Sequence, residues 1–261
     1  MTAPLPCLMP DWPGLPANVG ALATVRAGGV SQQPYGDGQG GGGLNLGMHV
    51  GDEPAHVAAN RARLAAILPS EPAWLSQVHG VAVADAASLH GGVPDADASV
   101  ATQVGAVCVV MTADCLPVLF SSHDGRVVAA AHAGWRGLAN GVLRRTVENM
   151  RAQGATDILA WLGPAIGPQQ FEVGQDVLQA FRDGARDAAE RQVLSGAFAA
   201  IAGKPGKYLA DIYALARTML LRDGVAQVAG GDYCTVSDAT QFYSYRRDGV
   251  TGRQASLIWR K

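Results

Sequence analysis

A chain of 261 residues with 48% hydrophobic and 16% charged residues can bury a substantial core, and this composition excludes a disordered protein. The formal net charge of −2 gives no electrostatic reason to expect a nucleic acid or an acidic membrane surface as a partner. Four cysteines are too few for a disulfide framework, the first residues lack the basic start of a secretory signal, and no apolar run reaches the length of a membrane span. We therefore expect small-molecule chemistry in a reducing cytoplasm, with no nucleic acid and no membrane as partner.

The apolar pattern predicts a mixture of strands and helices in chain order. Residues 1–20 are rich in proline and predict an extended N-terminal segment, whereas residues 32–43 contain six glycines and predict a loop or flap. Strands are predicted over residues 21–26, 74–78, 81–85, 104–120, 127–132, 156–162, 226–235 and 256–259. Helices are predicted over residues 53–68, 137–153, 175–181 and 208–221. Because no linker or repeat interrupts the chain, residues 21–261 are predicted to form one domain of class α/β (α+β), with mixed β-sheets covered by helices.

The first two of these helices have predicted buried faces, and the first also has a predicted cap. Asp52 is a candidate N-cap of the helix over residues 53–68. The apolar residues expected on its buried face are Ala58, Leu64, Ile67 and Leu68. The corresponding stripe of the helix over residues 137–153 consists of Leu138, Val142, Leu143, Val147 and Met150.

Reactive side chains are concentrated in residues 107–137, a stretch that is otherwise apolar. Asp114 and Cys115 lie in mid-run, and His132 precedes Trp135 and Arg136. Burial of polar groups costs free energy unless they are paired or bound to a ligand, so the cluster indicates a site rather than a core.

Three interpretations of His79, Cys115 and His132 are open from the residues alone. Cysteine and histidine are the usual zinc ligands, and three protein ligands with an open fourth position are typical of a catalytic zinc. The spacings of 36 and 17 residues match no short zinc signature. Alternatively, the histidines bond to backbone while Cys115 is a buried small hydrophobe, or Cys115 is a nucleophile with His132 as its base. In the last case Asp114 would orient an imidazole or transfer a proton.

Other polar residues have weaker signals. Asp95 and Asp97 share one face of an extended chain, where they could serve a metal or a sugar, or act as turn and cap residues. Arg136 has a planar guanidinium suited to bidentate recognition of phosphate, or it forms a structural bridge. Tyr243 and Tyr245 could stack on a base or pack one sheet face. The glycine loop lacks the Gly-Lys-Ser/Thr ending of a phosphate-binding loop.

Five motifs, in order along the chain, resemble the laccase-domain family. They are Gln77-Val-His-Gly80, Thr112-Ala-Asp-Cys-Leu-Pro117, His132-Ala-Gly-Trp-Arg-Gly137, Leu162-Gly-Pro-Ala-Ile166 and Phe242-Tyr-Ser-Tyr-Arg246. Residues 26–31 and 45–47 match the N-terminal pattern of the family, and the likeness covers residues 22 to 259. Members are also called multicopper polyphenol oxidoreductases and are now regarded as purine nucleoside phosphorylases.

The resemblance implies a fold, a metal and an activity. The fold is a layered α/β/β/α arrangement, and residues 21–261 form a single laccase-like domain. The metal, zinc with copper also possible, would be held by His79, Cys115 and His132. We predict Cys115, Asp114 and Arg136 as catalytic residues. Arg26, Asn45 and Arg246 are the predicted substrate-binding residues.

The implied reaction is cleavage of adenosine, inosine, guanosine or methylthioadenosine by phosphate, together with deamination of adenosine. Purine nucleosides and phosphate are therefore the expected partners. Some members resemble cytoplasmic editing enzymes that remove serine from a nucleotide-linked muramyl precursor of peptidoglycan, which is the alternative function. Weak phenol oxidation is a further alternative, since copper outcompetes zinc for such ligands.

Two features of the sequence limit these expectations. A three-copper cluster needs paired His-x-His motifs, and none of the six histidines forms such a pair, so we reject a true multicopper oxidase. Zinc deaminases place a glutamate in His-x-Glu, and no glutamate follows His79 or His132 in this way. Asp114 is the nearest carboxylate, although strand alternation would point Asp114 and Cys115 to opposite faces unless the chain bends.

Overall fold

Fourteen strands and seven α-helices account for about half of residues 4–89 and 91–261, which are the residues that the computed structural model describes. The strands are β1 (Cys7–Leu8), β2 (Val19–Thr24), β3 (Ala27–Ser31), β4 (Val83–Asp85), β5 (Ala98–Ala101), β6 (Val107–Thr112), β7 (Leu116–Ser122), β8 (Val128–Ala133), β9 (Ile158–Leu162), β10 (Glu172–Gly174), β11 (Phe198–Ala200), β12 (Lys207–Ala210), β13 (Gln227–Gly230) and β14 (Gln254–Arg260). The helices are α1 (Pro54–Ala65), α2 (Trp135–Asn140), α3 (Val142–Ala152), α4 (Gln175–Asp183), α5 (Ala188–Gly196), α6 (Ile212–Arg222) and α7 (Tyr245–Asp248).

The strands form two large sheets and one small sheet. A six-stranded mixed sheet has the order β13-β9-β7-β8-β5-β4, with parallel pairs only at its two edges. A four-stranded antiparallel sheet has the order β1-β2-β14-β6, and a small antiparallel sheet has the order β10-β12-β11. The predicted class of mixed sheets with covering helices is therefore confirmed.

Three apolar clusters show how these elements are layered. The largest lies between one face of the six-stranded sheet and helices α2, α3, α4 and α6. The second joins the two large sheets face to face, and the third packs α1 on the outer face of the four-stranded sheet. Alternation along β6 illustrates the arrangement, because Cys108 and Val110 belong to the inter-sheet cluster and Val109 to the outer one. The result is the α/β/β/α layering that the resemblance implied.

The prediction of one strand over residues 104–120 was wrong. This stretch contains β6, which pairs with β14 in the four-stranded sheet, and β7, which pairs with β8 and β9 in the six-stranded sheet. Residues 113–115 carry the chain from one sheet to the other, and Asp114 has a φ of +100° in this link. Both strands are buried over their whole length, so hydrophobicity alone gives no sign of the break.

Helix α1 differs from its prediction at both ends. It begins at Pro54 with Glu53 in the cap position, and Asp52 instead accepts hydrogen bonds from Ser31 Oγ and Asn45 Nδ2. The helix ends at Ala65, so the predicted face that included Ile67 and Leu68 is not formed. The residues that α1 buries are Val57, Asn60 and Leu64, whereas Ala58 is exposed and Ile67 is 47% exposed.

Other predicted elements are shorter or divided. The helix over residues 137–153 is two helices separated at Gly141, where φ is +93°, and its predicted apolar stripe is buried. Helix α6 begins at Ile212, after Asp211 accepts a hydrogen bond from Ala214 N, so residues 208–210 belong to β12 instead. Residues 74–78 make a single isolated bridge, between Ser76 and Asp95, rather than a strand.

The N-terminal segment predicted over residues 1–20 lies partly outside the described residues, which begin at residue 4. Its described part includes β1, which pairs with β2, and Trp12, which is buried between the two large sheets. The boundary between this segment and a domain at residue 21 stays a prediction. In the described part of the chain, none of the helices has the length and apolarity needed to cross a bilayer.

Candidate metal centre

Asp97 organises the loop that carries His79. Its buried carboxylate accepts hydrogen bonds from three successive backbone N–H groups, those of Val78, His79 and Gly80, at 3.2, 3.0 and 2.6 Å. His79 adopts a φ of +60°, a conformation that costs free energy for a residue with a side chain and persists only where its surroundings hold it. The three bonds to one carboxylate supply that restraint.

The same carboxylate fixes His132 at the end of β8. Asp97 Oδ1 lies 2.8 Å from His132 Nδ1, and both side chains are almost completely buried. A ring nitrogen bonded to a carboxylate leaves the other nitrogen, Nε2, as the ligand atom. Metal-binding histidines are commonly oriented by a carboxylate in this way.

Cys115 completes a cluster of three potential ligands. Its Sγ lies 3.8 Å from His79 Nε2, and one ligand atom from each of His79, Cys115 and His132 lies within 4.8 Å of the other two. Tetrahedral coordination with metal–nitrogen distances near 2.0–2.1 Å and metal–sulfur near 2.3 Å requires ligand separations of roughly 3.3–3.6 Å. Small side-chain movements would give this geometry, so the cluster can hold a metal ion.

Gly134 keeps the space beside this cluster open. A Cβ atom at this position would lie 2.9 Å from His79 Cδ2 and 3.0 Å from Cys115 Sγ. Any larger residue would therefore press on two of the three ligands. The donor set, the orienting carboxylate and the adjacent glycine all fit a bound metal.

The charges of the cluster favour a thiolate beside an imidazolium when no metal is bound. Burial opposes ionisation of Cys115, but the neighbouring His132 and His79 outweigh it and lower the pKa of the thiol to about 6. Burial also disfavours the charged form of His132, but Cys115 and Asp97 outweigh it and raise its pKa to about 9. A thiolate is the form of cysteine that both binds metals and acts as a nucleophile.

Two cavities meet at Cys115. The larger, of about 440 Å³, is lined by the three ligands and by His49, Gln77, Met111, Thr112, Ala113, Trp135, Arg136, Tyr245 and Arg253. The smaller, of about 150 Å³, is lined by Ala113, Asp114, Cys115, Trp135, Ile166, Phe171, Ile212, Tyr245 and Arg246. The first is rich in cations and the second in apolar and aromatic groups.

Asp114 lines the smaller cavity beside Cys115. Strand alternation would point the two side chains to opposite faces, but the chain bends at Asp114 in the link between the sheets, so both reach the same cavity. Asp114 Oδ1 accepts a hydrogen bond from Thr235 Oγ1 at 2.6 Å, and its Oδ2 accepts one from Arg246 N at 2.6 Å. Asp114 therefore anchors the start of α7, the helix that presents Tyr245 and Arg246 to the cavities.

The other predicted substrate residues are divided between the cavities and the core. Arg136 is exposed in the larger cavity with its guanidinium over the Trp135 ring, and Arg246 lines the smaller one and donates to Glu172 O. Arg26 and Asn45 line neither cavity.

Both of those buried residues bond to neighbouring parts of the chain. The Arg26 guanidinium donates to the carbonyl groups of Gly36 and Ala239, and it thereby fixes the glycine-rich loop. Asn45 Oδ1 accepts hydrogen bonds from the backbone of Gly47 and Arg253. Tyr243 is likewise fully buried, and its hydroxyl donates to Tyr35 O, so it is unavailable for stacking on a base.

Three residues support the site in ways that the sequence does not predict. For Asp97 the sequence leaves a metal or sugar site and a turn or cap role open, and the structure shows that its carboxylate orients His79 and His132. Gln77 exchanges two hydrogen bonds with the backbone of Met111 and ties the His79 loop to β6. Arg253 lines the larger cavity from a loop just before β14. In the sequence, Gln77 lies within a recognised motif and Asp97 within a pair of aspartates, whereas Arg253 has no signal of either kind.

The family model described as multi-copper polyphenol oxidoreductase laccase matches residues 20–261. The chain belongs to this family. Among curated members, a purine nucleoside phosphorylase of Pseudomonas aeruginosa is 51% identical over 252 residues, covering 97% of each chain. The purine nucleoside phosphorylase YfiH of Escherichia coli is 52% identical over 254 residues, covering 97% of this chain and 98% of that one.

Two solved structures have the same fold. A Neisseria meningitidis protein superposes with a TM-score of 0.85 at 50% identity, covering 98% of this chain and 99% of that one. YlmD of Geobacillus stearothermophilus superposes with a TM-score of 0.83 at 30% identity, covering 98% and 96% of the two chains. The resemblance inferred from five short motifs is thus confirmed over almost the whole chain.

Proposed function

We propose that this laccase-domain protein is a zinc-dependent purine nucleoside phosphorylase that also deaminates adenosine. The observation that carries the proposal is the convergence of His79, Cys115 and His132 at the junction of two cavities of opposite character. The names of relatives that share half of its residues over its whole length support the same activity. The proposed substrates are adenosine, inosine, guanosine and methylthioadenosine.

In phosphorolysis one bond forms and another breaks at the ribose C1′ atom. An oxygen of hydrogen phosphate bonds to C1′ as the bond from C1′ to the purine nitrogen breaks, and that nitrogen takes the electron pair. The proton lost from hydrogen phosphate balances the proton gained by the purine, so inosine gives hypoxanthine and ribose 1-phosphate. The protein must therefore bind an anion and a purine on opposite sides of C1′ and stabilise the charge that develops between them.

The ligand set suits zinc, and copper would also bind it. A bound zinc ion would act as a Lewis acid toward an oxygen atom of water or substrate. The chain's own contribution is orientation, because Asp97 holds the ring of His132 and the backbone of His79 in place. The neutral imidazole and the thiolate required for binding are both available near neutral pH once the metal replaces the proton.

Deamination of adenosine replaces the amino group at C6 with oxygen from water and releases ammonia. A proton must reach the departing nitrogen, and the role of Asp114 in that transfer stays a prediction. Both of its oxygens already accept hydrogen bonds, from Thr235 and from Arg246, which supports a positioning role as well. The cytoplasmic location predicted from the sequence also stays a prediction.

Product analysis with and without phosphate tests the proposal. Zinc-loaded protein is incubated with inosine or adenosine, and the released bases are measured by chromatography. We expect hypoxanthine and ribose 1-phosphate from inosine only when phosphate is present, and at least a hundredfold loss in Cys115→Ala. Cys7→Ala is the matched control, because Cys7 is a free cysteine in β1, outside the cavity lining. Release of base without phosphate, or full activity of Cys115→Ala, would reject the assignment.

A second function, hydrolysis of an amide bond, is favoured by one specific observation. Cys115, His132 and Asp97 form a thiolate, imidazolium and carboxylate series that resembles a cysteine hydrolase even without metal. Its substrate would be a nucleotide-linked muramyl precursor carrying a misplaced serine. Chelator-treated protein should then release serine, and retention of serine under conditions that turn over nucleosides would exclude this alternative. Phenol oxidation by copper-loaded protein is the subsidiary prediction.

A further inference from the structure

Two arginines line the larger cavity without a carboxylate partner among the described residues. Among the described residues that line this cavity there is no carboxylate, yet Arg136 and Arg253 both lie in its wall. Neither guanidinium is within ion-pair distance of an acidic group in residues 4–89 and 91–261. Arginine is the cation best suited to bidentate recognition of phosphate oxygens.

Arg253 is held in place by the chain around it. Its backbone N–H donates to Asn45 Oδ1 at 2.9 Å, and its stem packs on Gly47, where a Cβ atom would lie 2.8 Å from Arg253 Cγ. Nη1 donates to Thr251 O and Gly252 O at 3.2 and 3.0 Å. These contacts leave Nε and Nη2 without a bond to any described part of the chain, which orients two donors for a ligand.

The charges around Arg253 are consistent with an anion-binding site. Burial lowers the pKa of Arg253, against the opposing influence of Cys115 and Asp114, and a guanidinium remains charged despite such a shift. The pKa of His49, another residue of the cavity wall, is lowered by burial and then by the charges of Arg253 and Arg61, which is consistent with a positive potential at this wall. A bound divalent metal would add to the positive potential.

The smaller cavity has the opposite character. Trp135, Phe171 and Tyr245 contribute aromatic surface, with Ile166 and Ile212 as the aliphatic part of the wall. Flat heteroaromatic rings stack on such surfaces. The two cavities share Ala113, Cys115, Trp135 and Tyr245, so one molecule in each would meet beside the metal ligands.

We propose that Arg253 and Arg136 form the subsite for inorganic phosphate, and that the purine ring occupies the aromatic cavity on the other side of Cys115. This assignment rests on the proposed phosphorolysis and identifies which residues separate its two substrates. Asn45 and Gly47 act as positioning residues, because they set the direction of Arg253.

Separate Michaelis constants for the two substrates test the assignment. In Arg253→Met we expect KM for phosphate to rise about tenfold or more, since a charge-assisted pair of hydrogen bonds is lost. KM for inosine, and KM for adenosine in the phosphate-independent deamination, should change less than about twofold. Phe171→Leu should show the converse pattern. Arg126→Met is the matched control, because its exposed side chain lies in the turn between β7 and β8.

Calorimetric titration of the zinc-loaded protein with inorganic phosphate provides a measurement independent of turnover. Binding should be present in the wild type and in Arg126→Met and lost in Arg253→Met, with Arg253→Lys intermediate if the methionine variant does not fold. An unchanged KM for phosphate in Arg253→Met, or an equal rise in KM for inosine, would overturn the assignment while leaving phosphorolysis intact. Binding that depends on Arg253 without any phosphorolysis would reject the proposed function and keep the subsite.

Inosine 5′-monophosphate distinguishes a nucleotide phosphate from free phosphate. If this nucleotide binds in an Arg253-dependent way and inorganic phosphate does not bind, the subsite serves a nucleotide and the assignment to the co-substrate is wrong. We expect the reverse, with inorganic phosphate bound by both arginines and the nucleotide excluded or weakly bound.

Discussion

Replacement of Asp97 by asparagine removes one charge and almost no volume from the support of the metal centre. In the wild type, Oδ2 accepts from Val78 N and Gly80 N, whereas Oδ1 accepts from His79 N and His132 Nδ1. An amide has one oxygen, so in either orientation its NH2 group faces N–H donors that previously had an acceptor. Because the residue is fully buried, water cannot take its place.

The cost follows from the number of donors left without an acceptor. If the NH2 group replaces Oδ2, two backbone N–H groups lose their partner, at about 1–3 kcal/mol each. If it replaces Oδ1, the backbone N–H of His79 loses its acceptor. His132 must then adopt the tautomer with its proton on Nε2, the nitrogen that is needed for the metal. We therefore expect the free energy of unfolding to fall by about 2–5 kcal/mol and zinc affinity to fall about 10–100-fold.

Chemical denaturation in chelator and zinc competition with a chromophoric chelator measure these two quantities. The matched control is Asp95→Asn, the same change at an exposed aspartate two residues earlier, which should alter neither quantity. An Asp97→Asn protein that unfolds like the wild type and binds zinc with wild-type affinity would refute the view that this carboxylate supports both histidines.

Three further predictions concern space, charge and a buried hydroxyl. Gly134→Ala should lower zinc affinity and activity at least tenfold with little loss of fold, because the added methyl group contacts His79 and Cys115, as metal titration and circular dichroism would show. In metal-free protein the pKa of the Cys115 thiol is depressed to about 6, so its thiolate should persist down to about pH 6, as measured by alkylation rate. The stability that this thiolate contributes should be complete above the pKa of an unfolded thiol, about 8.5, and should decline as pH falls from there to about 6, as measured by denaturation across pH. Tyr213→Phe should cost about 1–3 kcal/mol of unfolding free energy, because the buried hydroxyl accepts the N–H of Ala165 at 2.8 Å, and this is measurable by denaturation.

Each of these has a clear contrary result. Wild-type zinc affinity in Gly134→Ala would mean that the ligands close around a smaller space than the structure indicates. Alkylation of Cys115 that follows an ordinary thiol titration near pH 8–9 would reject the thiolate–imidazolium pair. A Tyr213→Phe protein with unchanged stability would imply that the Ala165 N–H finds another acceptor.

The sequence predicted local features best where one face of an element is buried. The apolar stripe of α3, from Val142 to Met150, follows the period of a helix, and its members are buried. The division between β6 and β7 was missed, because both strands are apolar on both faces and a single turn-forming residue, Asp114, marks the change of sheet. Asp114 has the unusual backbone angle that makes the change, and strand alternation was therefore misleading there.

The site was predictable only as far as residue type carries information. His79, Cys115 and His132 are typical ligand residues, and the structure brings them together. Asp97 supports the same site from a position 18 residues after His79. Arg253 faces the site from a position near the C-terminus. Neither residue lies in a motif that indicates its role. Their contributions depend on contacts between distant segments, which spacing does not encode.

The position of the three ligands has a consequence for how the fold and the metal influence each other. His79 sits in a loop tied to the four-stranded sheet through Gln77 and Met111, His132 ends a strand of the six-stranded sheet, and Cys115 lies on the link between them. A bound ion would therefore connect the two large sheets. It would add about 2.7 kcal/mol to the free energy of unfolding at a free metal concentration one hundred times Kd. By reciprocity, a substitution in the inter-sheet core should weaken metal binding to the extent that it populates a state in which the three ligands are no longer assembled.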